Sequence, residues 1–208
     1  MHATPTEPLD VETFAQPVQQ RRFVEAMERL AAGRAPETPV RVYISAPPRT
    51  RGSEKWDSRL AHIREALPTG VEVLTYESVF GGDRPYDWGP LADELDGLVV
   101  LGKAKRPGSR VYVLGPTARQ ELRSLIARKP VLIYSHNLGL IPVIDCKSQV
   151  LAPEETPRLK LVAPKRWTAN SETLSAALKA LDPNEGPEEE QRPPSLPHLA
   201  HPFTAPPQ

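Results

Sequence analysis

The side chains equipped for chemistry fall in a few short segments, each beside an apolar run. Arg49 and Arg51 follow VRVYIS (Val40 to Ser45), and Asp96 precedes LVVLG (Leu98 to Gly102). Lys103, Lys105, Arg106 and Arg110 come next, Gly115, Thr117, Arg119 and Glu121 lie in GPTARQEL, and His136 follows PVLIY. Arginine and lysine supply the donors that phosphate oxygens need, so Arg49, Arg51 and the basic loop form a candidate anion clamp. A solvated surface hairpin is the plainer reading of that loop. Carboxylates such as Asp96 and Glu121 can attack, or carry a proton to and from a reacting group. Each has a bland alternative as well: Glu121 as a solvated helix carboxylate, Asp96 as a turn residue, Tyr43 as a core aromatic, His136 as a structural hydrogen-bonding group. No His, Cys, Asp or Glu spacing suits a metal, and no metal site is expected.

These segments are positioned by alternating elements. Val18 to Ala32 reads as a helix with Phe23, Met27 and Leu30 on one face and Gly33 at its end. Val40 to Ser45 is a β-branched run suited to a buried parallel strand. Glu54 to Leu67 carries Trp56, Leu60, Ile63 and Leu67 at helical spacing, with Ser53 as N-cap. Val71 to Tyr76 and Leu98 to Gly102 read as the second and third strands, with a short extra strand at Val111 to Leu114. Thr117 to Arg128 is a helix capped by Thr117, with Gln120 completing a capping box and Leu122, Leu125 and Ile126 facing the core. Pro130 to Tyr134 is the fourth strand, PVIDC and RLKLV are strand-like, and Ser171 to Leu181 is the closing helix.

Alternation of this kind predicts an α/β fold: a flavodoxin- or Rossmann-like parallel sheet of about five strands with helices on both faces. Ligands in such sheets settle beyond the carboxyl ends of the strands, where the candidate segments gather. Residues 1–35 are expected as an arm and flanking helix, 36–182 as the domain, and 183–208 as a disordered tail. Eight of the last 26 residues are proline, and Glu188, Glu189 and Glu190 add charge, so the tail has little apolar surface to offset its ordering entropy. Its PPSLPHLAHP stretch suits a partner that recognises polyproline II.

Composition narrows the classes further. Lysine and arginine total 26 against 26 acidic residues, which argues against a nucleic-acid or anionic-membrane partner and for a small one. The single Cys146 allows no internal disulfide, fits a reducing cytosol, and reads as a core residue. No window approaches the roughly 18 apolar residues of a membrane span. A cytoplasmic location is expected.

The stretch VYISAPPRTRGSEKWDSRLAHIREAL, then VEVLTYE, DELDGLVVLG, GPTARQEL and ARKPVLIY, resembles the nucleoside 2-deoxyribosyltransferase superfamily, which includes the deoxynucleoside monophosphate N-glycosidases. The resemblance runs over roughly Val40 to Tyr134. It implies Glu121 as nucleophile, Tyr43 as the tyrosine that orients it, and Asp96 as the acid that handles the base. Gly115, Thr117 and Arg119 stand in the segment before the nucleophile, where the family places small residues and a Ser or Asp against the sugar. The resemblance also implies a homodimer whose neighbouring subunit helps close the pocket, and no cofactor.

N-glycoside cleavage develops oxocarbenium character on the sugar and negative charge on the departing base, so one carboxylate attacks while an acid protonates the base. A glutamate near a helix N-terminus is favoured in its ionised form. The expectation is cleavage or transfer at the N-glycosidic bond of a nucleoside or nucleotide, or a catalytically silent nucleotide sensor on the same fold.

Overall fold

The computed structural model describes residues 14–35, 38–81, 84–104, 108–151 and 158–185. Helix α1 (Pro17–Ala32) has proline in its first turn and precedes β1 (Arg41–Ser45). Then come α2 (Glu54–Ala66), β2 (Glu72–Leu74), α3 (Tyr76–Phe80), α4 (Trp88–Glu94) and β3 (Gly97–Val100). The second half runs β4 (Lys103–Ala104), β5 (Val111–Leu114), α5 (Pro116–Leu125), β6 (Val131–Ser135), β7 (Gly139–Pro142), β8 (Lys147–Leu151), β9 (Arg158–Val162) and α6 (Glu172–Ala180).

The main sheet has the order β2-β1-β3-β6-β7, with the first four strands parallel and β7 antiparallel at the edge. Alternation along the strands divides its core in two. Val42, Ile44, Val99, Leu101 and Leu132 face α1, α2 and α6, while Tyr43, Leu98, Val100 and Ile133 face α4 and α5. Successive side chains point to opposite faces, so Ser45 shares the α5 side with Tyr43. From β1 the chain adds β2 on one side and β3 on the other, which makes the carboxyl ends of β1 and β3 the switch point of the fold.

A second sheet, of order β4-β5-β9-β8 and antiparallel throughout, packs Tyr112, Leu114, Leu159 and Leu161 into the α5-side cluster. The sequence marks two of these strands but not the sheet, because β5 must pair with β9 across a long stretch of chain. Cys146 lies in the same cluster, fully buried, with its thiol pushed up to about 12 by burial and by the nearby Asp145.

Several local expectations shift. Leu30 is 38% exposed, and α1 instead buries Phe23, Val24, Met27 and Ala31. The strand expected from Val71 to Tyr76 stops at Leu74, because Thr75 and Ser78 form a capping box that starts α3 at Tyr76. Helix α5 is not capped by Thr117: it starts at Pro116, whose fixed φ and missing N–H suit the first helical position, with Gly115 as N-cap. In PVIDC, Pro142 ends β7 and Val143 to Asp145 form a 3-10 turn. Ser53 does cap α2, its hydroxyl accepting from the Trp56 N–H. The tail expected from 183 lies outside the described residues from 186 onward. No helix among the described residues is long and apolar enough to cross a membrane.

Gly97 opens β3 where two layers meet. A Cβ there would lie 2.8 Å from a Leu181 methyl and 3.2 Å from the Pro130 carbonyl oxygen. Gly97→Ala should therefore cost about 1–3 kcal/mol through overpacking, read as a lower urea midpoint at unchanged slope. An unchanged midpoint would mean that Leu181 yields freely.

Candidate functional site

Glu121 lies in the second turn of α5 and is 2% exposed. The Ser45 hydroxyl at the carboxyl end of β1 donates to its Oε2, and the Tyr86 hydroxyl donates to its Oε1 at 2.6 Å. Trp88 fixes the backbone beneath, donating from Nε1 to Ser124 Oγ at 2.8 Å, while Ser124 donates to the Glu121 carbonyl at 2.7 Å. Ser45 meets the carboxylate because strand alternation turns it toward α5.

Around this carboxyl group stands an aromatic wall. The Tyr43 ring packs against Trp88, with centroids 5.6 Å apart, and edge-on to Phe80 at 6.5 Å. Phe80 in turn lies 4.9 Å from Tyr86 and 5.5 Å from Tyr76. The Arg51 guanidinium sits 4.0 Å over the Tyr76 ring and pairs with Glu77 at 3.6 Å. Its Nε is buried without a hydrogen-bond partner.

Burial dominates the electrostatics and raises the Glu121 pKa above its ordinary value, against the opposing pull of the Ser45 and Tyr86 hydrogen bonds and the Arg51 charge. The helix-dipole expectation is thereby reversed. Glu121 stands beyond the first turn, where the dipole's influence fades, and desolvation takes over. The Tyr43 phenol is raised by burial and by the facing Glu121, and that of Tyr86 by burial and by its hydrogen bond to Glu121.

The expected trio is only partly assembled. Tyr43 is 2% exposed and belongs to the wall around Glu121, but the phenol that bonds the carboxylate is that of Tyr86. Asp96 is elsewhere. It precedes β3 at the amino edge of the sheet, whereas Glu121 meets β1 at the carboxyl edge, about 13 Å away at strand rise. There Asp96 Oδ2 accepts from the Arg41 N–H at 2.9 Å, and Oδ1 pairs with Arg34 at 3.6 Å. It closes the start of β1 and β3, the plain structural role. Among the charged groups interacting with Tyr43 beside Glu121, the second carboxylate is Glu77.

Of the expected anion clamp, Arg49 shares one cavity with Gly102, Ala104, Gly108 and Ser109 of the basic loop, and Arg51 does not line it. A cavity of about 900 Å³ opens at the carboxyl edge of β1, β3 and β6, and Arg49 lines it with Arg59, Tyr112, Tyr134, His136 and Asn137. Arg51 turns to Tyr76 and Glu77. Arg110 has a buried Nη1 without a partner, as Arg119 has a buried Nε. Lys105, Arg106 and the Lys103 side chain lie outside the described residues. Gly115 and Thr117 are exposed at the start of α5. Glu121 is not among the residues that line this cavity.

Sequence reasoning missed Ser45 and Tyr86. A polar residue ending an apolar strand, two places after Tyr43, was a signal for Ser45; the PYDW loop offered none for Tyr86. Among the described residues no group of three or more His, Cys, Asp or Glu could hold a metal.

Set against protein-family models, curated proteins and solved structures, the chain matches none. The geometry by itself defines an α/β protein with a buried, hydroxyl-held carboxyl group and a cavity at the switch point of its sheet.

Two measurements check these placements. A raised folded-state pKa means that the folded chain keeps a proton the unfolded chain has released. Stability therefore falls as pH rises from the ordinary value of 4.5 to the folded pKa, then levels off. Glu121→Gln removes that loss, so at neutral pH it should be more stable than wild type, read as a higher midpoint in thermal unfolding. The gap should close toward about pH 4. A less stable variant at neutral pH would show that the two hydroxyls stabilise the ionised form more than burial opposes it. Asp96→Ala should lower stability by about 1–3 kcal/mol, since it strands the Arg41 N–H and removes the ion pair with Arg34, and should leave ligand binding unchanged. Weakened binding at full stability would return Asp96 to the site.

Proposed function

We propose that this chain cleaves or transfers at the N-glycosidic bond of a nucleoside or nucleotide, with Glu121 as nucleophile. The observation that carries the reading is the burial of Glu121 between Ser45 and Tyr86 at the carboxyl end of β1, in the position the resemblance gives to the nucleophile. A carboxylate aimed by two hydroxyls and sheltered from water can attack a sugar carbon, and the covalent ester is then resolved by water or by a second base.

Asp96 stands too far from Glu121 to serve the departing base, and the other carboxylate near the wall is Glu77. It stands with Arg51 beside Tyr76, within the electrostatic reach of Tyr43 that Glu121 shares. The aromatic wall supplies faces for a flat base. Arg49 and Arg59 in the cavity supply donors for a phosphate. A homodimer belongs to this reading, as does the cytoplasmic setting.

The second reading, a nucleotide sensor without turnover, is favoured by one observation. Both oxygens of Glu121 are occupied, and the group is nearly sealed. One assay separates the two: incubation with a panel of ribo- and deoxyribonucleosides and their monophosphates, with free base read by chromatography. Glu121→Gln should abolish base release while leaving ligand binding within about tenfold, roughly 1.4 kcal/mol. Binding without any base release by the wild type would establish the sensor instead, and base release that survives the substitution would remove Glu121 from the chemistry.

A further inference from the structure

The two hydroxyls on Glu121 differ in what it takes to remove them. Ser45 is a strand residue, 5% exposed, paired with Val100 of β3, its carbonyl accepting from the Leu101 N–H at 2.8 Å. Tyr86 is 40% exposed, belongs to the stretch between α3 and α4, and donates from its hydroxyl to Glu121 Oε1. Its ring rests on Phe80 and lies within 19° of parallel to Tyr76 at 6.4 Å. Rotation about its side-chain bonds carries it into solvent without breaking a strand pairing. Glu121, 2% exposed beneath it, is then open.

A buried carboxyl group stripped of a partner is destabilised, so whatever displaces Tyr86 must bring a donor of its own. It must also cover the faces of Phe80 and Tyr76 that the ring leaves bare. From this we infer that Tyr86 is a displaceable cover on Glu121, and that the ligand which displaces it offers a hydroxyl to Oε1 and a flat ring to Phe80 and Tyr76. The ligand half rests on the N-glycoside reading, in which sugar hydroxyl and base are those two groups; the cover half stands without it. Tyr86 is in this sense a positioning residue. It holds the carboxylate in the empty site and yields its place in the occupied one.

The test reads carboxyl accessibility directly, by carbodiimide coupling of an amine followed by peptide mass spectrometry. Glu94, with a side chain 63% exposed, is the exposed reference, and Asp145, 6% exposed and held by Gln20 and Thr173, reports the integrity of the fold. In the wild type Glu121 should label as slowly as Asp145. In Tyr86→Ala its labelling should rise roughly tenfold toward that of Glu94, with Asp145 unchanged. In Tyr86→Phe, which keeps the ring, it should stay nearer the wild type.

Glu121 labelling like Glu94 in the wild type, or like Asp145 in Tyr86→Ala, would overturn the cover. So would a rise shared by Asp145 in both Tyr86→Ala and Tyr86→Ser, since Tyr86 would then be holding the fold. For the ligand half, the probes are adenosine, ribose 5-phosphate and inorganic phosphate, each added to Tyr86→Ala. Adenosine should protect Glu121 most, ribose 5-phosphate less, and phosphate not at all. Equal protection by phosphate, or none by adenosine, would overturn the ligand assignment. If labelling follows this pattern while no nucleoside yields free base, the catalytic reading falls and the cover stands.

Discussion

Everything at the carboxyl edge of this sheet answers to one constraint: a carboxyl group on α5 has been taken out of water at the end of a parallel strand. A buried carboxylate without donors is among the more expensive things a fold can contain, and its neighbours are arranged accordingly. Ser45 must be polar although it ends an apolar strand. Tyr86 must reach inward from an otherwise exposed stretch, and Arg51 must stay close enough for its charge to count. The aromatic residues behind them keep the local dielectric low, which penalises the ionised form and at the same time strengthens each hydrogen bond made to it.

Two-faced packing of the main sheet makes this arrangement possible. Tyr43 and Ser45 fall on one face and Val42 and Ile44 on the other, so one short strand serves both a hydrocarbon core and a polar site. The switch in strand order between β1 and β3 then gathers the following loops at their carboxyl ends, and there the cavity opens. The amino edge is treated quite differently. Asp96, Arg34 and the Arg41 backbone close it with a compact ionic and hydrogen-bonded contact, which anchors the strands whose far ends carry the site.

Local signals made the main sheet legible. The β-branched run at Val40 to Ser45, the Ser53 cap and the periodicity of Leu122 and Leu125 each specify an element through its own residues. What escaped was set by pairing at a distance: β5 with β9, whose sequences state a strand but not its neighbour, and Tyr86, whose loop has no periodicity. Glu121 could be singled out from its place after a strand and near the start of a helix, yet its burial could not, because the partners that seal it come from β1 and from the stretch before α4. Asp96 was placed at the wrong edge for a related reason. A residue preceding a strand lies at its amino end, and in a parallel sheet that is the side away from the loops that bind.

The lone thiol has a use of its own. Cys146 is fully buried between the two sheets, next to Asp145, and with its pKa pushed up to about 12 almost none of it is thiolate at neutral pH. An alkylating reagent can reach it only when the core around it opens. The rate of its modification in native buffer is thus a natural clock for that opening. It times that opening with no label introduced into the chain.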